Sequence, residues 1–373
     1  MFAIMNGRRG SACSLGKDVM RISLKSALLA GAIAACLAGQ AQAADGPAVY
    51  DGYKAPKDSS GRPDLTGVWN AATMTPLQRL PGFGDRITMT PAEVEAVEGP
   101  AAALRGQAAK KTDPNATVKD LVPDGSGNYN AGWLDPGTTL VRVHGEPRNS
   151  ILTTPDGNVP PDLKGRILVP RPQRVRGYAG SSIPQPGSEE GRDPPGRNDN
   201  PESRGLSERC ILGFSAGVAI LPSLYNSTYS IQQSPNFVAI ESEMIHDVRI
   251  VPLNAKHRTD VTNQLGGDAI GWYEGATLVV ETTRFDPRLL RYGASEQLKV
   301  TERFTRVSPT RLHYAFTLDD PKTWAKPWGG EYELTSSPGI YEYACHEGNY
   351  GLEAILAGAR QEEAAARTTT ASK

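Results

Sequence analysis

"QLKVTERFTRVSPTRLHYAFTLDD", residues 297–320, reads as two strands folded back on each other. Leu298, Val300 and Phe304 fall on every second position, the side-chain period of a strand. The turn signal "SPT" follows, and "RLHYAFTLDD" resumes the alternation. Glu302 lies on the same apolar face as Leu298, Val300 and Phe304. A carboxylate there costs several kcal/mol unless it is paired.

The rhythm continues in both directions. "STYSIQQ" turns at Ser234-Pro235-Asn236 into "FVAIESEM", and "HDVRIVPL" follows. "IGWYE" turns at Glu274-Gly275 into "TLVVETTRF"; "GEYELTS" and "GIYEYAC" complete the series. Strands at short spacing with hairpin turns predict a mainly β fold, an antiparallel meander closing as a barrel or sandwich, lipocalin-like in outline. "DLTGVWN" (64–70) reads as a first strand, and "TTLVRVHG" and "SILTTP" as short ones. Residues 90–111 read as a helix capped by Thr90 with Pro91 at its first position, interrupted at Gly99-Pro100. Residues 155–205, rich in Pro, Gly and charge, read as a long cover laid over the domain. A C-terminal helix is expected over 350–364, with Leu352, Ile355, Leu356 and Ala359 on one stripe and Asn349 as its cap. Residues 364–373 read as a flexible tail.

From Met20 the chain carries Arg21 and Lys25, an apolar run Ala27–Leu37 and an Ala41-Gln42-Ala43 cleavage pattern. This predicts a signal peptide over 1–43, with the true start at Met20 and export to the periplasm or beyond. "IAAC" offers a lipoprotein reading through Cys36 as the alternative. The apolar run is shorter than the ~20 residues of a membrane span, so no transmembrane segment is expected in the mature chain. Residues 44–363 then form a single β-rich domain. Of 40 basic and 41 acidic residues, the leader removes five and one, leaving 35 against 40 and a net charge of −5. That balance, without a basic stripe, argues against a nucleic-acid partner.

Export leaves two cysteines, Cys210 and Cys345, and an oxidising compartment favours a disulfide over a catalytic thiol in "ACHE". In "HDVRIVPL", His246 shares a face with Val248 and Ile250, while Asp247 and Arg249 point the other way. Read with Glu302, this places a histidine and a glutamate among inward aliphatics, as a small-molecule cavity is lined. His346 is held beside Cys345 at the start of a helix, where no capping rule asks for an imidazole. Glu347 suits the helix dipole. "GNYNAGWLD" supplies Tyr129, Asn130, Trp133 and Asp135, and "LYNSTY" supplies Tyr225 and Asn226, as ring-binding candidates. No HExxH, GxGxxG or CxxCH motif occurs. No cofactor is expected; a scattered metal site through His246, His257 and His346 stays open.

Together "YNAGWLDPG", "DNPESRGLSERC", "EMIHDVRIVPL", "WYEGATLVVETTRF", "VTERFTRV", "LDDPKTW" and "YEYACHEGNYG" resemble a family of secreted proteobacterial and acidobacterial proteins of unassigned function, over roughly residues 64–363. The resemblance implies export and one domain that includes the Pro-rich cover; it implies no catalytic role. Ala276 stands where that family has an acidic residue. The residues themselves suggest a periplasmic, cofactor-independent lyase or isomerase acting on a small, aromatic molecule. His246 and His346 would carry acid–base chemistry, Glu302 would tune His246, and Arg249 would hold an anion. A non-catalytic lipocalin-like binder of an apolar ligand and an envelope interaction protein are the alternatives.

Overall fold

The computed structural model describes residues 52–108, 135, 137–166, 198–213, 219–223, 226–287, 290, 292–345 and 350–371, all within the compact unit Pro47–Lys373. In chain order the elements are β1 (Gly67–Asn70), α1 (Pro91–Ala108), β2 (Arg142–Val143), β3 (Glu146–Pro147), β4 (Thr228–Gln233), β5 (Phe237–Ser242) and β6 (Asp247–Pro252). They continue with β7 (Asp268–Glu274), β8 (Thr277–Thr283), β9 (Lys299–Ser308), β10 (Arg311–Asp319), β11 (Trp328–Ser336) and α2 (Tyr350–Ala371).

The meander is present. Nine strands form one antiparallel sheet in the order β6-β5-β4-β1-β11-β10-β9-β8-β7, nearly closed as a barrel. β2 and β3 form a separate hairpin. Hairpins join neighbours as the turn signals indicate: Gly275, with φ at +61°, opens the two-residue turn between the paired Glu274 and Thr277. In β9 and β10, Val300, Glu302, Phe304, Leu312, Tyr314, Phe316 and Leu318 all face the interior and are buried.

The odd strand count decides the shape of the seam. In an antiparallel sheet of nine, the first and last strands run parallel, so β6 and β7 cannot be joined by a tight hairpin. The chain crosses instead through residues 253–267. The seam closes at one end only, through a parallel bridge from Leu253 to Gly271 and a bond from Asn254 N–H to the Gly271 carbonyl at 2.7 Å. A short segment around Ile220 enters the barrel. Its N–H donates to the Tyr314 hydroxyl at 2.9 Å, and its carbonyl accepts from the Tyr332 hydroxyl at 3.0 Å.

Four expectations change. α1 runs through Gly99-Pro100 without a break. The carbonyl four residues before Pro100 belongs to Ala96, an exposed residue, so the bond the proline cannot make is lost at the surface and not inside the core. Its start is a reciprocal capping box: Thr90 N–H donates to Glu93 at 2.7 Å and Glu93 N–H to Thr90 Oγ1 at 3.3 Å. "SILTTP" touches the sheet by a single bridge, Leu152 to Gly330. "GIYEYAC" is not a strand, because its amides go to side chains, as described below. α2 continues to Ala371 through the expected tail, as the alanines at 364–366 favour. Of the cover, residues 167–197 lie outside the described residues.

Candidate functional site

The open end of the seam is a cleft of about 290 Å³, near the lower end of small-molecule sites. β6 forms one wall, residues 264–267 of the crossover form the other, and Ile220 and Tyr229 lie at its floor.

The parity of β6 holds, but its direction is opposite to the one expected. Val248 and Ile250 are 47% and 50% exposed, while Asp247 and Arg249 turn inward. The reason is Glu302. It is fully buried in the barrel, and Arg249 meets it with both terminal nitrogens, Nη1 to Oε2 and Nη2 to Oε1 at 3.1 Å. Tyr314 donates to Oε1 at 2.8 Å. A buried carboxylate thus draws the strand's cation inward, and the aliphatics face out. The Arg249 side chain is 19% exposed and that part lines the cleft. Burial alone would lower the guanidinium's pKa, but Glu302 outweighs it and raises it. Burial, then Glu302, pushes the Tyr314 phenol well above its ordinary value.

Asp247 lines the same cleft, and its carboxyl accepts no hydrogen bond among the described residues. Burial raises its pKa, with Arg249 pulling in the opposite direction. A carboxyl that holds its proton more tightly, facing a cleft beside a fixed guanidinium, is suited to giving and taking protons.

His246 stands at the rim. It is exposed, and its Nε2 accepts from Tyr343 N–H at 3.2 Å. It does not meet Glu302. Cys210 and Cys345 form the expected disulfide, which fastens the end of "GIYEYAC" beside this rim. Asn226 donates to the buried Glu243 at 2.8 Å. Tyr129, Asn130, Trp133, Tyr225, His346 and Glu347 lie outside the described residues. His257 is held between Asp268 at 2.9 Å and Glu281 at 3.2 Å. Among the described residues, no group of three or more His, Cys, Asp or Glu side chains is arranged to hold a metal ion.

Asp135 lies elsewhere, bonded to Asn70 at 3.3 Å. Charge concentrates on the outer face of β10 and β11. Glu331 bonds Arg148 at 3.1 Å and His313 at 3.2 Å, and Arg311 reaches Glu333 at 3.5 Å. His144 sits at the β2–β3 turn with φ at +54°, its ring 6.4 Å from that of His313. The sequence reading missed both this cluster and Asp247. Asp247 had one available signal: it shares the face of Arg249, the natural partner for Glu302.

Comparison of the chain with protein-family models, curated proteins and solved structures finds no match. Among the described residues, no helix is long and apolar enough to cross a membrane.

Proposed function

We propose that the seam cleft is the active site of an exported lyase or isomerase that moves a proton on a small molecule. Asp247 is its acid–base group, and Arg249 stabilises the negative charge that develops on the substrate. The observation that carries this reading is Asp247 itself: a carboxyl that accepts no hydrogen bond among the described residues, its pKa raised by burial, in a cleft whose β6 wall also carries a clamped guanidinium. Arg249 lines the cleft and has N–H groups left over after its two bonds to Glu302, so a fitting ligand has an acceptor such as a carbonyl or carboxylate oxygen. Tyr229 and Ile240 give the cleft the flat and aliphatic surface that an aromatic ring takes. The disulfide supports export to an oxidising compartment.

The test is isotope exchange. Small aromatic carbonyl and carboxylic compounds with an acidic C–H are incubated with the protein in D2O, and deuterium uptake is followed by NMR. The wild type should exchange at least one of them, and Asp247→Asn should lose about 10²-fold or more of that rate. A compound that binds equally to both proteins and exchanges in neither would mark the cleft as a non-catalytic binding site.

A further inference from the structure

The link between β5 and β6 is backbone that few sequences tolerate. Ile245 and His246 are consecutive residues in the left-handed region, with φ at +64° and +52°. A β-branched side chain there is strained, and such strain persists only where the surroundings over-determine it. The surroundings are explicit. Glu243, 5% exposed, accepts from Asn226 on one carboxylate oxygen at 2.8 Å and from Tyr341 N–H on the other at 3.1 Å. His246 accepts from Tyr343 N–H at 3.2 Å, so its ring hydrogen sits on Nδ1.

Both arms of the disulfide reach this turn. The Cys345 arm brings the Tyr341 and Tyr343 amides. From the Cys210 arm comes Gly213, where an added Cβ would lie 2.7 Å from Met244 Cγ; Met244 is fully buried in the turn. The next residue after the turn is Asp247, already paired in register with Ser242 across β5.

We infer that His246 and Glu243 are positioning residues, which fasten the disulfide-held strap Tyr341–Cys345 onto the turn that aims Asp247 into the cleft. The inference rests on the reading of Asp247 as the working group. The imidazole acts here through the lone pair of Nε2 and carries no proton to a substrate. Glutamine places an acceptor oxygen at similar reach, whereas leucine offers none.

His246→Gln and His246→Leu separate positioning from proton chemistry without a substrate. Two signals are read on each: hydrogen exchange of the Tyr343 amide, and the pH titration of the Asp247 carboxyl carbon by ¹³C NMR. His246→Leu should speed Tyr343 exchange by about fivefold, the factor for one lost net hydrogen bond, and move the Asp247 titration toward that of an ordinary aspartate. His246→Gln should leave both near wild type. If leucine leaves both signals unchanged, or if glutamine disturbs them as much as leucine does, the inference is overturned. Should His246→Leu fail to fold, Glu243→Gln serves instead. It removes one of two acceptor oxygens and should speed Tyr341 exchange while shifting the Asp247 titration; an unmoved titration overturns the inference. These signals are independent of turnover, so failure of the isotope-exchange test leaves the strap standing or falling on its own result.

Discussion

Two carboxylates on opposite sides of one sheet are handled in opposite ways. Glu331, on the outer face, is surrounded by donors. The bond from His313 holds its pKa down against burial, with further help from the charges of His313, Arg148 and His144. Asp247, at the seam, has burial and, among the described residues, no hydrogen bond, and its pKa rises. A partnered carboxylate is settled and adds stability. A half-buried carboxyl with no hydrogen bond among the described residues, beside a cation already committed to Glu302, carries a cost that folding elsewhere must offset. Groups perturbed in this way cluster at functional sites.

The comparison breaks first at Arg249. Arg249→Met should cost about 3–5 kcal/mol, because Glu302 loses the cation that Arg249 brings into the barrel and keeps Tyr314 as a donor. Arg148→Met, which removes one of several partners of a half-buried glutamate, should cost about 1 kcal/mol or less. Chemical denaturation of the two variants checks the contrast, and equal losses would erase the distinction between the faces. Next in size is Tyr314→Phe. It removes the acceptor for Ile220 N–H and a donor to Glu302, and should cost about 1–3 kcal/mol. Its fingerprint is faster exchange of the Ile220 amide.

The smallest effects carry the sharpest signs. A raised native pKa means that the folded state binds the proton more tightly, so the wild type loses stability as pH rises from the unfolded aspartate value through the native one. Asp247→Asn removes that loss, so its melting temperature should exceed the wild type's at pH 7 and match it near pH 3. Glu331 contributes stability above the ordinary carboxylate range and loses it as pH falls through its depressed native value. Glu331→Gln should therefore melt below the wild type at pH 7, with the gap closing in acid. Melting curves at both pH values that moved in the same direction for the two variants would contradict the assignment.

Much of the fold was legible because strands advertise themselves by alternation. β9 and β10 are the clearest case: Val300, Phe304, Leu312 and Phe316 name the inner face without ambiguity. β6 shows the limit. Parity says which residues share a face but not which face is inside, and "VRI" invites the aliphatics inward. Only the long-range fact that Glu302 needs a cation reverses it. "GIYEYAC" misled for a related reason. Its alternation mimics a strand, yet the Tyr341 and Tyr343 amides go to Glu243 and His246. Asp247 was invisible as a site residue because an aspartate at a strand start usually faces water. The cleft depends on the odd strand count, which no single segment encodes.

The account turns on the state of one carboxyl, and a ¹³C titration of Asp247 in the wild-type protein reads it directly. The prediction is a midpoint above that of an ordinary aspartate, rising further in Arg249→Met as the opposing charge is removed. A midpoint at or below the ordinary value, unmoved by loss of Arg249, would contradict the assignment of the seam cleft as a proton-transfer site.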